Sequence, residues 1–474
     1  MEPTRYDLVV IGSGPAGSSG ALMTSYFGKK VALVERAKSV GGAGINTGTI
    51  PSKALRESAH MLSGWRARKL GINATLNQKT TIDEVAYHAT QVQQALRGIC
   101  QTRLSERKAE LIIGDATFIN SQVVQVIAPD GTMRLLQGQK ILVATGSSPM
   151  HPPEFPFNHP RIHDSNEILE IKQLPSKLVV VGAGVIGAEY ACTFAELGIE
   201  VHVVDGRDSL LGFLDQDISS AIQQAMERRG ITFHWGEKVT ACSAPVSGDV
   251  TLTLSSGKTL TCSDVLVAAG RNSNTETLNL PTAGITPGKR GLITVNDFYQ
   301  TEVPHIYAAG DVVGPPALAA TGMEQARVAM CHAFNIPGKQ STTLLPTGIY
   351  TIPEASMVGL TEEAAKKLGE PYVVGVAPYC DNARGRLIGD QDGLLKLIFR
   401  KSDNKLIGVH AVGEQATELV HIGLVTMLLN GGAEVFNRAC FNYPTLGELY
   451  KYATYAAIGQ EMKNEIGAHE SDSY

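Results

Sequence analysis

The feature that most constrains how this chain can fold is a pattern that occurs twice, 170 residues apart (Gly182 against Gly12). In each copy a short apolar run leads into a Gly-x-Gly-x-x-Gly motif, then a helical stretch, then a second apolar run that ends on an acidic residue. This order predicts a strand, a turn, a helix and a parallel strand, the unit that binds dinucleotides. The duplication therefore predicts an α/β protein with two Rossmann-like domains.

The three glycines and the acidic residue of the first copy have separate physical roles. Gly12 permits the tight turn, Gly14 lets a pyrophosphate approach the backbone, and Gly17 lets helix and strand pack closely. The helix N-terminus faces the phosphates. Glu35 follows eighteen residues after Gly17, where a carboxylate can accept hydrogen bonds from both ribose hydroxyls.

The second copy repeats this arrangement with Gly182, Gly184, Gly187 and, again eighteen residues later, Asp205. Two intact copies favour two bound dinucleotides, and hence electron transfer between two cofactors, over one working and one degenerate site. Asp205 favours NAD(H), because a carboxylate repels a 2′-phosphate and accepts a hydrogen bond from a free 2′-hydroxyl. Arg207 could bind the 2′-phosphate of NADP(H) if Asp205 turns away, although a lone arginine is more often a solvated surface residue.

Length and charge narrow the class of protein. A chain of 474 residues predicts roughly three domains. The net charge of −5 gives no electrostatic case for a nucleic acid or an anionic membrane as partner. The first apolar run lacks the basic region and cleavage site of a signal peptide, and no apolar run approaches the ~20 residues that span a bilayer. We therefore expect a cytoplasmic protein.

The seven cysteines are scattered, and none are paired at the spacing of a metal or redox site. We interpret them as reduced, buried, small apolar residues, because free cysteine is among the most buried residue types. A pair brought together by the fold is the alternative.

Residues 41–53 form a glycine-rich loop that enters a helix and places Lys53 one turn inside it. Together with the preceding dinucleotide unit, this segment resembles the active-site segment of the flavoprotein disulfide reductases, the class I pyridine nucleotide-disulfide oxidoreductases. Most members carry two cysteines here, with four residues between them, and these form the redox disulfide. In this chain the two positions are Gly44 and Thr49. The resemblance implies the scaffold of a disulfide reductase without its disulfide.

A second departure lies near the end of the chain, in residues 441–448. Disulfide reductases usually have a histidine where this chain has Tyr443, followed by an acid that is kept here as Glu448. That histidine, supplied by the partner subunit, moves protons to and from the reacting thiol, and a phenol with a pKa near ~10 cannot do so efficiently at neutral pH. The joint loss of the cysteines and the histidine indicates a change of chemistry. Tyr443 and Glu448 are therefore expected to be structural at a dimer interface more than catalytic.

The resemblance implies FAD at the first dinucleotide unit and NAD(H) or NADP(H) at the second. It places Lys53 and Glu189 beside the reactive nitrogen of the flavin, where a buried ammonium would stabilise the reduced, anionic flavin and Glu189 would hold that ammonium. It places Asp311 at the ribityl chain, although an acid after a strand could simply cap the next helix. Thr49 is a candidate near the flavin, or it only caps or packs. Further cofactor contacts are implied for Ala116, Thr145, Gly146, Gly270 and Ala319.

The resemblance covers nearly the whole chain and implies three domains. These are an FAD-binding domain of residues 1–150 and 272–345, an inserted NAD(P)-binding domain of residues 151–271, and a C-terminal α+β dimerisation domain of residues 346–474. The expected assembly is a homodimer.

One branch of the family, the soluble pyridine nucleotide transhydrogenases, departs in a similar way. It resembles this chain at residues 48–56, 346–354 and 442–445, with threonine at the second cysteine position and tyrosine at the histidine position, although it generally keeps the first cysteine. The first hypothesis is therefore a transhydrogenase that moves hydride between NADP(H) and NAD(H) through FAD. One alternative is a diaphorase or quinone reductase on the same scaffold. Another is a non-catalytic nucleotide sensor, and the intact Lys53, Glu189 and glycine motifs argue against this second alternative. A dithiol reductase acting on lipoamide, glutathione disulfide or thioredoxin is rejected.

Overall fold

The first glycine motif follows the central strand of a sheet in the computed structural model, which describes residues 2–72, 82–338 and 343–471. The elements of this unit are β1 (Thr4–Ile11), α1 (Pro15–Tyr26), β2 (Val31–Glu35), α2 (Gly42–Asn46), α3 (Thr49–Leu62), α4 (Trp65–Lys69), α5 (Ile82–Glu106), β3 (Glu110–Ile113), β4 (Asp115–Phe118), β5 (Val123–Ile127), β6 (Met133–Val143) and β7 (Ser147–Pro149). The strands pair in the order β3-β2-β1-β6-β5-β4. β1, β2 and β3 are parallel to one another and to β6, whereas β4 and β5 add an antiparallel hairpin.

The second glycine motif has the same position in a separate sheet. The elements of this unit are β8 (Ile162–His163), β9 (Lys177–Val181), α6 (Val185–Glu196), β10 (Glu200–Asp205), α7 (Gln216–Arg228), β11 (Thr232–Trp235), β12 (Val239–Ser243), β13 (Val250–Leu254), β14 (Thr259–Cys262), β15 (Asp264–Val267) and β16 (Arg271–Ser273). Five parallel strands pair in the order β11-β10-β9-β15-β8, and β12, β13 and β14 form a small antiparallel sheet.

The chain then returns to the first sheet. β17 (Ile306–Ala308) pairs in parallel with the last residues of β6, and α8 (Ala319–Ala333) packs on α1. β16 pairs antiparallel with β7, so the two connections between the units lie side by side. The first sheet is thus built from residues on both sides of the second unit. The domain limits themselves stay a prediction.

The C-terminal unit is an antiparallel sheet covered by helices. Its elements are β18 (Thr347–Ile349), β19 (Ala355–Gly359), α9 (Glu362–Leu368), β20 (Tyr372–Pro378), α10 (Ala383–Leu387), β21 (Leu394–Arg400), β22 (Leu406–Val412), α11 (Ala416–Leu428), α12 (Ala433–Arg438) and α13 (Leu449–Ser471). The strands pair in the order β18-β19-β22-β21-β20, and α11 and α13 contact the sheet. Short 3-10 turns occupy Glu167–Glu170, Glu276–Leu278, Leu280–Ala283, Lys289–Gly291, Asp311–Val313, Tyr379–Asp381 and Leu446–Glu448.

The two glycine motifs have nearly identical geometry. Gly12 and Gly182 have φ angles of 100° and 105°, in the region that favours glycine. A Cβ on Gly17 would lie 1.8 Å from the carbonyl oxygen of Gly12, and the corresponding distance for Gly187 is also 1.8 Å. Because only glycine allows this turn and this approach of helix to strand, each motif determines the shape of its own unit.

The cysteines correct one interpretation. All seven are free, which excludes a disulfide formed by the fold, but only Cys192, Cys262 and Cys331 are buried and Cys440 is exposed. The expectation that all are buried filling residues is therefore wrong. No helix among the described residues is long and apolar enough to cross a membrane.

Candidate active site

A cavity of about 1650 Å³ brings most of the predicted site residues together. It lies between the two glycine motifs, the N-terminal turn of α3 and the start of the C-terminal unit, and its volume exceeds that of an ordinary small-molecule pocket. The predicted residues that line it are Gly12, Gly14, Glu35, Thr49, Lys53, Ala116, Thr145, Gly146, Gly184, Glu189, Gly270, Asp311 and Ala319. The predicted residues that do not line it are Gly17, Gly182, Gly187, Asp205, Arg207, Tyr443 and Glu448.

Lys53 and Glu189 meet on the wall of this cavity. The Lys53 Nζ lies 2.6 Å from Glu189 Oε2, and the Glu189 side chain is 9% exposed. The other carboxylate oxygen, Oε1, accepts a hydrogen bond of 2.9 Å from the backbone N–H of Tyr350, and the Tyr350 ring lies 5.1 Å from Nζ. The ammonium is therefore held by a charge-assisted hydrogen bond and a cation–π contact at once.

The local fold explains why Lys53 faces this way. Gly48 is the N-cap of α3, so Lys53 lies one turn inside a helix whose N-terminus opens into the cavity. Thr49 is the first helical residue and its side chain is exposed to the cavity. The suggestion that Thr49 caps the helix is therefore wrong.

Asp311 is linked by hydrogen bonds to residues of β7 and β16, the two segments that connect the first two units. Ser147 Oγ donates a hydrogen bond of 2.5 Å to Asp311 Oδ2, and Arg271 Nε donates one of 2.7 Å to Ser147 Oγ. Asp311 lies three residues after the end of β17 and begins a 3-10 turn. It does not cap the next α-helix, α8, because the N-cap of that helix is Leu318, which makes no capping side-chain hydrogen bond. Burial lowers the pKa of Arg271, which Asp311 partly offsets. Asp311 thus lies on the cavity wall in a partly buried polar cluster that is held by hydrogen bonds of Ser147 and Arg271.

The first motif fits a dinucleotide such as FAD. Glu35 is buried, and its Oε2 accepts hydrogen bonds from the N–H and Oγ of Ser13, while Oε1 accepts one from the N–H of Ala37. A carboxylate has about four acceptor positions, so Oε1 keeps capacity for a ribose hydroxyl. Thr145 Oγ1 is buried and has no hydrogen-bond partner among the residues that the structure describes. A buried hydroxyl of this kind on a cavity wall is suited to a polar ligand atom.

The second motif has a different electrostatic arrangement. Asp205 Oδ2 accepts from the N–H of Ala183 (2.6 Å) and from Arg207 Nη2 (2.7 Å), and Oδ1 accepts from the N–H and Nε of Arg207 (2.8 and 2.9 Å). Burial raises the pKa of Asp205, but the bonds from Arg207 and then Ala183 outweigh it and lower the pKa to about 2. All four acceptor positions of the carboxylate are filled, three of them by Arg207.

Tyr443 and Glu448 lie away from the cavity of their own chain. Tyr443 is 70% exposed. Glu448 Oε2 is buried and, within the described part of the chain, has no hydrogen-bond partner.

Sequence reasoning missed several residues that complete the site. Tyr350 lies inside the quoted segment 346–354, and Arg271 follows directly on Gly270, so both were adjacent to motifs already identified. Ser147 had no distinguishing pattern. Its role depends on the pairing of β7 with β16, which no local pattern indicates.

The close packing of Gly44 against Pro15 explains why a cysteine side chain is not accommodated at position 44. A Cβ on Gly44 would lie 2.7 Å from Cγ and 3.1 Å from Cδ of Pro15, whose ring fixes its own position at the start of α1. We expect Gly44→Cys to lower the free energy of unfolding by about 1–3 kcal/mol, the usual cost of overpacking. We also expect Gly44→Cys/Thr49→Cys to gain no lipoamide reductase activity. Urea unfolding and NADH oxidation with lipoamide measure the two effects.

The single variant Thr49→Cys is the control, because the Thr49 side chain is exposed and the variant should keep the stability of the wild type. Rapid lipoamide turnover by the double variant would contradict the steric explanation.

Comparison with known proteins places this geometry in a family. Residues 6–333 match the model described as pyridine nucleotide-disulphide oxidoreductase, and residues 345–454 match its dimerisation domain. A protein named soluble pyridine nucleotide transhydrogenase from Mycobacterium bovis is 45% identical over 95% of this chain and 96% of its own length. These matches confirm the predicted family resemblance and the relation to the transhydrogenase branch.

Solved structures agree with the sequence relatives. LpdA from Mycobacterium tuberculosis has a TM-score of 0.89 and 27% identity, and covers 95% of this chain and 99% of its own. The HOCl-induced flavoprotein disulfide reductase RclA from Escherichia coli has a TM-score of 0.85 and 26% identity with the same coverage. The predicted fold class is confirmed. The chain therefore belongs to the pyridine nucleotide-disulphide oxidoreductase family, whose members are oxidoreductases that use FAD and a nicotinamide dinucleotide.

Proposed function

We propose that this protein is a transhydrogenase that moves hydride between NADP(H) and NAD(H) and does not reduce disulfides. One observation carries the proposal: Lys53 and Glu189 are joined in a cavity that both glycine motifs reach, and none of the described residues lining that cavity is a cysteine. Without a thiol beside the flavin, electrons have no dithiol through which to leave. The names of the relatives support the same reaction.

The balanced reaction is NADPH + NAD⁺ → NADP⁺ + NADH, with one hydride lost and one gained and no net change in the enzyme. Bound FAD supplies the site that accepts a hydride from one nicotinamide and gives it to another. Glu35, Thr145 and the Ser147–Asp311 pair are the residues that would hold it. Lys53 supplies a fixed positive charge where negative charge develops, and Glu189 and Tyr350 keep that charge in place without reorganisation during the reaction.

Both dinucleotides can share the second motif if Arg207 moves. With all four acceptor positions of Asp205 filled, a free 2′-hydroxyl gains a bond to the carboxylate only when the guanidinium leaves it. The Arg207 side chain is half exposed, and a 2′-phosphate would draw it away from Asp205. Arg207 is therefore the proposed element that admits both NAD(H) and NADP(H).

This assignment predicts a selective loss in Arg207→Ala. We expect binding of 2′,5′-ADP to weaken by about 10- to 100-fold, the value of a charge-assisted hydrogen bond, while binding of 5′-AMP stays within about twofold or improves. Isothermal titration measures both ligands without any flavin chemistry. Arg228→Ala is the control, because it removes another exposed arginine of the second unit that pairs with an acid, Asp392 of the C-terminal unit. An equal loss for both ligands would contradict the assignment.

We further propose a cytoplasmic homodimer with the predicted limits of its three domains. The matched dimerisation domain supports an assembly of two chains. Exposed apolar side chains at the end of α11, Val425 and Leu428 and the following Leu429, are suited to burial against a second copy. The same holds for the exposed Tyr443 and for Glu448 Oε2, which has no hydrogen-bond partner among the described residues. Sedimentation of the purified protein tests this.

The deciding experiment for the reaction is anaerobic. The flavoprotein is reduced with NADPH, and NAD⁺ or thio-NAD⁺ is then mixed in a stopped-flow instrument. Reoxidation within the turnover time, with lipoamide and glutathione disulfide inert, is the expected result. If NAD⁺ leaves the flavin reduced and a quinone reoxidises it, the protein is a quinone reductase. A purified protein without flavin would exclude both the transhydrogenase and the quinone reductase.

A further inference from the structure

The helices that carry Lys53 and Glu189 are joined a second time, two turns further on. Lys53 and His60 lie on α3, and Glu189 and Glu196 lie on α6, each pair separated by seven residues. Because an α-helix has 3.6 residues per turn, residues seven apart lie on the same face, about 10 Å apart. His60 Nδ1 lies 3.1 Å from Glu196 Oε1, just as Lys53 lies 2.6 Å from Glu189. The two ion pairs are successive cross-links between the same two helices.

The second cross-link is buried and connects three parts of the chain. The Glu196 side chain is 3% exposed, and His60 Nε2 lies 3.7 Å from Oε2 of Glu414, in the loop after β22. Arg229, which follows α7, lies 3.8 Å from Glu196. On α3 itself the nearest charged groups are Arg56 and Glu57, which pair with each other, and Arg56 also reaches Glu354.

We propose that His60 is a positioning residue, whose cross-link to Glu196 sets the register of α3 against α6 and so aligns Lys53 with Glu189 in the cavity. This inference rests on the proposed role of Lys53 and Glu189 beside the flavin. A helix pair joined at one point can slide or rotate about it, whereas two cross-links two turns apart determine its register. His60 is not one of the residues that line the cavity, and it acts only through Lys53.

The protonation state of His60 gives this arrangement a measurable signature. A protonated imidazole can donate to Glu196 and face Glu414 at the same time, whereas a neutral one has a single N–H. Burial lowers the pKa of His60, but the interactions with Glu196 and then Glu414 outweigh it and raise the pKa to about 9. The stabilisation is therefore complete below the ordinary pKa of about 6.5 and is lost as the pH rises through about 9.

The test compares His60→Gln and His60→Lys in the full-length flavoprotein. Gln keeps one donor without charge, and Lys keeps a cation that does not titrate near pH 9. For each protein, the thermal midpoint, the flavin absorption spectrum and the rate of flavin reduction by NADPH are recorded from pH 6.5 to 10. His88→Gln, an exposed histidine on α5, is the control and should follow the wild type.

In the wild type, we expect the midpoint and the reduction rate to fall together through about pH 9. The His60→Gln protein should lack this step between pH 6.5 and 10. At pH 7 its flavin should have a shifted absorption spectrum and should be reduced by NADPH about tenfold more slowly, because small misplacements at a reacting centre have large kinetic costs. His60→Lys should restore most of the rate and show no step. A His60→Gln protein with a lowered midpoint but the wild-type rate, spectrum and pH profile would overturn the proposal.

If His60→Gln does not fold, Glu196→Gln tests the same cross-link from the other helix. Flavin reduction by NADPH does not depend on which acceptor follows. A protein that fails to transfer hydride to NAD⁺ would overturn the proposed function and leave this test intact.

Discussion

Replacing Lys53 with methionine should slow reduction of the flavin by NADPH by about 10²–10³-fold, or about 3–4 kcal/mol of transition-state stabilisation. The ammonium lies 2.6 Å from a carboxylate that is itself held by the N–H of Tyr350. Methionine is an unbranched side chain one atom shorter than lysine, and it removes the charge that faces the developing negative charge. The measurement is single-turnover flavin reduction by stopped-flow absorbance, which separates this step from product release.

Three further variants make the Lys53 result specific. Glu189→Gln should cause a smaller loss, and the double variant should be no slower than Lys53→Met alone, because residues that act as a unit are not additive. Lys177→Met is the matched control, since Lys177 pairs with Glu200 at 2.9 Å on the surface of the second unit. A Lys53→Met enzyme that reduces its flavin at the wild-type rate would remove the main support for the proposed mechanism.

The largest loss of stability is expected at Lys396, far from the cavity. Its side chain is 2% exposed, and its Nζ lies 2.8 Å from Asp215, 2.7 Å from Asp217 and 2.7 Å from Glu362. Burial lowers the pKa of Lys396, but the hydrogen bonds that Nζ donates to these carboxylates outweigh it and raise the pKa, so the lysine stays charged. Asp215 is fully buried and also caps α7. The cluster joins the second unit to the C-terminal sheet.

Lys396→Met should lower the free energy of unfolding by about 3–5 kcal/mol, because it leaves a buried carboxylate without its counter-charge. The denaturant midpoint measures this. Adding Asp215→Asn, which removes the uncompensated charge and keeps a capping side chain, should recover part of the loss. Lys401→Met, an exposed lysine just after the same strand, is the control. A loss below about 1 kcal/mol for Lys396→Met, typical of a surface pair, would contradict this reading of the cluster.

The sequence alone determined the two dinucleotide units and their order. Gly12 and Gly182 occupy backbone conformations with positive φ, and Gly17 and Gly187 allow contacts that any side chain would block. These requirements act within some thirty residues, so the glycine spacing and the terminal acid were enough to read them. The departures at Gly44, Thr49 and Tyr443 were likewise visible in the sequence, because each lies inside a motif whose other residues are kept.

Only the tertiary structure decided how distant residues meet. Lys53 and Glu189 are 136 positions apart, and Tyr350 comes from a third unit. Arg207 fills three of the four acceptor positions of Asp205, two of them with its guanidinium. The steric block at Gly44 comes from Pro15, and the His60 cross-link depends on α3 lying beside α6. Hydrogen bonds and steric contacts act over a few ångströms, and the sequence does not contain the distances that the packing of three units creates. Local backbone constraints can therefore be read from the sequence, whereas the partner of each buried charge is known only once the chain is folded.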